Sequence, residues 1–360
     1  MGWTNKQEQA IYTRGSNIVV SAGAGSGKTA VLSERMLDFC LNGNNITEAL
    51  VLTFTNAAAK EMKERIRKKL INNNLQEQAN LIDSAYITTF DAYSLNLVKK
   101  YAYKLGISKD IKIIDQALQE VINKRIIEGL FKELYETDEY FKQLLLKYTK
   151  QDDKELLDWV IKLNNSLDLI IDLDSFVENY ESKYYSQEQL TKVIADYNKY
   201  CKEEVSKIII ELEELERISS YDSDSLKLNV GVNTMITELK SLNTYEEYNM
   251  YFSTHSLPIV RKGSETVKEL KKQVTESIKK LKETVFDRYV FEADMIDEIL
   301  STKEDTIYLL KLCIEVKNRL FKYKQSINSF DYIDIAKMAI KLVKTDEEVN
   351  KSLKFFFKEI

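Results

Sequence analysis

The feature that most constrains this chain is Ile18-Val19-Val20-Ser21, running into Ala22-Gly23-Ala24-Gly25-Ser26-Gly27-Lys28-Thr29 and then Ala30-Val31-Leu32-Ser33-Glu34-Arg35. A β-branched run, a glycine-rich loop and a helical segment follow one another as strand, loop and helix. Glycines let backbone N–H groups converge on phosphate oxygens, and the helix N-terminus adds the positive end of its dipole. In such a loop Lys28 reaches the β- and γ-phosphates of a nucleotide, and the Thr29 hydroxyl completes the shell of a Mg2+ ion. Ala22 stands where the strict pattern has glycine. A Gly-rich turn before a helix is the alternative, and the ordered strand, loop and helix speak against it.

A phosphate loop needs a sheet behind it. Ile18–Val20, Ala49–Phe54, Tyr86–Phe90 and Ile111–Ile114 are short β-branched or aromatic runs separated by helical spacing. That alternation predicts an α/β domain with a mostly parallel sheet. After Asp115 the pattern turns helical. Leu118, Ile122, Ile126, Leu130 and Leu134 recur every fourth position, and Val205, Ile208, Ile209, Leu212 and Leu215 draw a second stripe. A third, Val267, Leu270, Val274, Ile278, Leu281 and Val285, predicts a long helix packed on a partner helix. The single proline, Pro258, falls in a loop between helices. Phe355-Phe356-Phe357-Lys358-Glu359-Ile360 reads as a buried strand entered from a helix, with the chain stopping inside it.

The 360 residues suffice for two domains, and 10 Gly with 1 Pro leave little room for linkers or turn-rich β-structure. Cys40, Cys201 and Cys313 are far apart, which argues against a zinc site, an iron-sulfur cluster or a disulfide framework and fits a reducing cytoplasm. Charged Lys6 and Glu8 come at once, and no apolar run nears membrane length, so neither a signal peptide nor a membrane span is expected. The net charge of −5 argues against nucleic acid until its distribution is read. Residues 1–115 carry 15 Lys+Arg against 11 Asp+Glu, an excess of +4 that leaves −9 for the remainder.

Three ordered motifs carry a resemblance. Trp3-Thr4-Asn5-Lys6-Gln7, the Gly25 to Arg35 stretch, and Leu52-Thr53-Phe54-Thr55-Asn56-Ala57-Ala58-Ala59-Lys60-Glu61-Met62 together resemble superfamily 1 DNA helicases of the UvrD/Rep type. Within that group Trp3-Thr4, Ala30 and the long helical region are most similar to the AddA family, helicase-nuclease subunits that work beside an AddB-like subunit. The resemblance implies a RecA-like ATP-binding domain over residues 1–115, an all-helical insertion over 116–325 and a return to the RecA-like domain over 326–360, entered through Phe330-Asp331-Tyr332-Ile333-Asp334-Ile335. It also implies ATP and Mg2+ as cofactors, single-stranded DNA or duplex ends as partner, 3'-to-5' movement, and a role in repair and recombination. The nucleotide would lie on Gln7 and on Ala22, Gly23, Ala24, Gly25, Ser26, Gly27, Lys28 and Thr29, with Thr29 on the metal. In relatives the Walker B acids come after the position of Ile360, so the expectation is an N-terminal portion lacking them, the second motor domain and the nuclease.

Several of these residues carry two readings. Gln7 belongs to the segment that reads the adenine edge, for which an amide is suited because it both donates and accepts; Thr4 to Gln7 is also a T-x-x-Q capping box. Phe54 stacks on a base and Thr55 and Asn56 hold phosphate, or Phe54 is a buried strand-end residue and Thr55 an N-cap. The cations from Lys60 to Lys69 track a DNA backbone or form a solvated face. Asp91 stands where relatives commonly have histidine, and Thr88 to Asp91 reads as a capping box. His255 reads as a surface or loop residue. A chain that only docks on DNA or on a partner helicase, without catalysis, is the alternative to a motor.

Overall fold

The computed structural model describes residues 2–149, 153–260 and 263–360. By its contacts the chain forms two compact units. The first comprises Met1–Glu139, Leu157–Ile171 and Val316–Ile360; the second comprises Tyr140–Leu156 and Asp172–Glu315.

In order, the chain forms α1 (Asn5–Tyr12), α2 (Lys28–Leu41), β1 (Leu50–Thr53), α3 (Asn56–Asn72), α4 (Gln76–Leu81), β2 (Tyr86–Thr89), α5 (Phe90–Lys100), β3 (Lys112–Ile113) and α6 (Gln116–Thr137). Next come α7 (Glu139–Tyr148), α8 (Lys154–Leu167), α9 (Leu173–Glu178), α10 (Tyr180–Tyr184), α11 (Gln187–Ser219), α12 (Leu226–Ser241), α13 (Tyr245–Thr254) and α14 (Glu265–Leu281). The last elements are α15 (Glu292–Ser301), α16 (Lys303–Ser326), β4 (Ser329–Phe330), α17 (Tyr332–Thr345) and α18 (Glu347–Phe356).

In the first unit every ladder is parallel. Leu50, Val51, Leu52 and Thr53 of β1 face Tyr86, Ile87, Thr88 and Thr89 of β2. Lys112 and Ile113 of β3 face Ser329 and Phe330 of β4. A further parallel bridge joins Ala49 to Glu359, where the Leu50 N–H donates to the Glu359 carbonyl at 2.9 Å. Helices cover this framework with periodic apolar faces: Ala59, Met62, Ile66 and Leu70 of α3 are buried, and Met62, Ile66 and Leu70 share a cluster with Met36, Leu37 and Cys40 of α2. A second cluster packs Leu97 and Val98 of α5 against Ile335, Met338 and Leu342 of α17.

Two expected strands form differently. Ile18–Val20 joins no ladder, and Val19 is 97% exposed. A cavity of about 630 Å3 is lined by Ile18 and Val20 and by Lys358, Glu359 and Ile360, and the two segments share no backbone hydrogen bond among the described residues. The Phe355–Phe357 run is also corrected. α18 continues through Phe356, leaving Phe355 90% exposed, and extended backbone begins only at Phe357. Asp346 caps this helix by accepting from the Val349 N–H, and its register puts Val349 rather than Phe355 inside.

The stripe on α6 shifts as well. Ile122, Ile127, Leu130 and Phe131 are buried, whereas Leu118 is exposed. At 3.6 residues per turn, a repeat of four advances about 40° per step, so five such positions cannot share one face.

The second unit contains no strand among its described residues. Its core joins Val205, Ile208, Leu212 and Leu215 of α11 to Val267, Val274 and Leu281 of α14, the helix pair expected from the third stripe. Pro258 lies in the loop after α13, as expected, and packs on α12: a Cβ added at Gly231 would come 2.3 Å from its Cγ. His255 caps α13 on the surface, with its ring stacked on Tyr251 at 4.3 Å. The three cysteines are buried.

Candidate nucleotide and nucleic-acid sites

The glycine loop is shaped by its own backbone. Gly25 and Gly27 have φ of 74° and 84°, which side-chain-bearing residues rarely adopt. Ser26 closes the turn by donating from its hydroxyl to the Gly23 carbonyl at 2.8 Å. Gly27 is the N-cap of α2 and has no side chain to offer, so the first-turn amides keep their capacity for an external acceptor. Lys28 folds back over the loop, donating from Nζ to the carbonyls of Ala22 and Gly23, both at 2.9 Å. Ala24 and Gly25 form the exposed tip of the turn, and Thr29 is half-buried in the first turn of α2.

Gln7 reaches this loop from α1. The capping box forms as the spacing implies: the Thr4 N–H donates to Gln7 Oε1 at 2.9 Å, and the Gln7 N–H to Thr4 Oγ1 at 3.4 Å. The same amide donates from Nε2 to the Ser26 carbonyl at 3.3 Å. Gln7 thus caps a helix and touches the glycine loop at once. Together they line a cavity of about 580 Å3 with Lys28, Ser21, Val31 and Arg35. Apolar Ala10, Val20 and Leu32 supply a surface for a flat ring, and no carboxylate lines it. A larger cavity of about 1090 Å3, over the start of α6, lies among Gln116, Gln119, Asn123 and Asn165 and holds none of the predicted site residues.

Residues of the second predicted site stand at the carboxyl ends of the paired strands. Phe54 follows β1 and is 92% exposed, which overturns the reading of a buried strand-end residue. Phe90 follows β2 in the same way and is 49% exposed. Because Thr53 faces Thr89 in the ladder, the two rings meet at 5.7 Å, tilted by 34°. Thr55 is the N-cap of α3, accepting from the Ala58 N–H at 3.1 Å, and Asn56 opens that helix on the surface. Arg65, Arg67 and Lys69 of α3 pair with Glu61, Asp83 and Glu34.

Thr88 to Asp91 does not form a capping box. Thr89 is the cap of α5 and accepts from the Ala92 N–H at 3.2 Å, because β2 keeps its ladder through Thr89. Asp91 falls in the first turn of α5, where a negative charge suits the helix dipole. Sequence reasoning had not singled out Phe90; the signal was its place after Thr89, matching Phe54 after Thr53. It also passed over Arg14, Arg35 and Glu359, which no local pattern connects.

A glycine loop resting on positive φ and feeding a helix without a side-chain cap is an arrangement that P-loop proteins share. The chain belongs to the UvrD/Rep helicase family: its residues 3–360 match the family described as UvrD/REP helicase N-terminal domain, which implies a RecA-like fold. It is similar to proteins whose names make them the A component of an ATP-dependent helicase/nuclease. That of Clostridium perfringens (strain 13 / Type A) is 31% identical over 97% of this chain and 30% of the relative. That of Clostridium botulinum (strain Alaska E43 / Type E3) is 30% identical over 97% and 30%, and that of Pediococcus pentosaceus is 27% identical over 99% and 31%. The chain spans about 30% of the length of the curated relatives it matches.

Proposed function

We propose that this chain forms the ATP-binding portion of a DNA helicase of the AddA type, which moves 3' to 5' on DNA in repair and recombination beside an AddB-like partner, in the cytoplasm. In this reading residues 1–115 and 326–360 form the RecA-like part and 116–325 an insertion. Single-stranded DNA or a duplex end is the track. No helix among the described residues is long and apolar enough to cross a membrane.

The observation that carries the nucleotide reading is Gln7 in contact with Ser26 on the same cavity as Lys28. The Lys28 ammonium, now on loop carbonyls, would exchange them for β- and γ-phosphate oxygens, and the first-turn amides of α2 would hold the remaining charge. Gln7 would present donor and acceptor to an adenine edge. Thr29 would hold Mg2+, which would supply positive charge to offset that of the phosphates.

No carboxylate lines the cavity to orient an attacking water. The chain alone is therefore expected to bind ATP and release almost no phosphate, with or without single-stranded DNA. A phosphate-release assay checks this, and steady turnover in it would overturn the account. The same lack favours, as second reading, a non-catalytic nucleotide- or DNA-binding module that docks on a partner. Partner binding unaffected by nucleotide would support that alternative.

For DNA, Phe54 and Phe90 offer two exposed ring faces to unstacked bases, and Thr55 and Asn56 stand beside them at a helix N-terminus. Phe54→Ala is expected to weaken single-stranded DNA binding by about 1–3 kcal/mol. Anisotropy with labelled oligonucleotides measures the effect, while the thermal midpoint stays put because the ring is exposed. An unchanged affinity removes Phe54 from the DNA site.

A further inference from the structure

We infer that Arg14 and Arg35, held by Glu359, form a clamp that positions Gln7 over the glycine loop and so sets the preference for adenine; this rests on the nucleotide reading of the cavity.

α1 has eight residues and buries only Ala10 and Ile11, so its own packing holds it weakly. No basic residue stands in its last turn. Two guanidiniums from outside do the work of a C-cap. Arg35 Nη1 donates to the carbonyls of Ala10 at 2.7 Å and Thr13 at 2.9 Å. Arg14 Nη1 donates to the carbonyls of Ile11 at 2.5 Å and Thr13 at 3.1 Å, and its Nη2 to Asp38 at 2.7 Å. Cations at these carbonyls satisfy orphan acceptors and oppose the negative end of the helix dipole.

Arg35 lies seven residues after Lys28, two turns along one face of α2, so the helix that begins at the glycine loop also grips the far end of α1. Gln7, one turn before Ile11, touches Ser26 at the near end. α1 is thus pinned at both ends to the same loop and helix. Glu359 completes the device. Its carboxylate accepts from Arg35 Nε and stands 3.7 Å from Arg14 Nε, with its side chain 12% exposed. Its backbone is bridged to Ala49 and Leu50 at the head of β1, so the clamp is anchored on the sheet. The preference for adenine thus depends in part on Arg14 and Glu359, which do not line the cavity.

Arg35 itself lines the nucleotide cavity, whereas Arg14 and Glu359 do not, so the test uses the latter two. Affinities of the full chain for non-hydrolysable ATP and GTP analogues and for tripolyphosphate are measured with Mg2+, for the parent, Arg14→Ala, Glu359→Gln and Gln7→Ala. Arg14→Ala and Glu359→Gln are expected to lower the ATP-to-GTP preference by about tenfold, toward that of Gln7→Ala, and to leave tripolyphosphate affinity unchanged. Adding Gln7→Ala to Arg14→Ala should cost little more, because both act through one amide. An unchanged preference in both variants, or an equal loss for all three ligands, overturns the clamp. A parent that shows no preference, or a Gln7→Ala variant that keeps it, overturns the adenine reading itself.

Discussion

Lys28→Ala is expected to lower affinity for a non-hydrolysable ATP analogue with Mg2+ by about one to two orders of magnitude, since hydrogen bonds to a charged group contribute about 1.5–3 kcal/mol. The ammonium bonds only to the exposed Ala22 and Gly23 carbonyls, so its removal leaves the fold intact and the loss reads as binding. Gln7→Ala should behave differently. It removes both the contact with Ser26 and half of the capping box, and the loss should be smaller and confined to adenine nucleotides. Titration of a labelled analogue, with and without single-stranded DNA, separates the cases. Equal weak binding by the parent and both variants would mean that the cavity is no nucleotide site, and the docking-module reading would replace it.

The second large effect concerns stability. Lys324 is 5% exposed, and its ammonium stands 2.6 Å from both Asp331 Oδ2 and Asp334 Oδ2. Burial opposes the charge on Lys324, but the two carboxylates outweigh it and hold its pKa above the ordinary value. Burial raises Asp334, while Asp331 is held low by Lys324 against the same burial. The two acids also form the capping box of α17, the helix packed on α5. Lys324→Ala strands both carboxylates and should cost about 3–5 kcal/mol. Lys324→Met, which keeps the length of the stem, should cost nearly as much, because the lost charge rather than the lost volume is decisive.

Urea unfolding followed by tryptophan fluorescence measures this. Trp3 and Trp159 both belong to the first unit, so the signal reports the unit that holds the triad. The midpoint should fall with the slope unchanged. Without the ammonium the acids relieve their repulsion by taking up protons, which stabilises the variant as pH falls. The parent instead loses the contribution of Asp331 as pH falls through its depressed folded value, so the difference between the two shrinks toward acid. A cost below about 1 kcal/mol at neutral pH would place the triad in the class of solvated surface pairs.

The glycine loop, the caps at Thr4 and Thr55, and the stripes on α11 and α14 were legible in the sequence because each depends on residues within a few turns of one another. Glycines at Gly25 and Gly27, an oxygen three residues before a helix amide, and apolar residues at steps of three and four act through local backbone geometry. That physics is the same wherever the segment sits.

Other features depended on which segments meet. A β-branched run such as Ile18–Val20 becomes a strand only beside a partner with free ladder groups, and Phe355–Phe357 had helical neighbours that carried α18 through Phe356. Phe54 was ambiguous between core and surface until the register of β1 on β2 set it beside Phe90 with both rings exposed. Arg14, Arg35 and Glu359 span most of the chain, and only the bridge from Glu359 to the head of β1 brings them together. The sequence by itself determined the glycine loop and the helices that begin and end around it. Tertiary structure alone decided which aromatic rings stay exposed and which charges meet, because burial and ion pairing are set by neighbours distant in the chain.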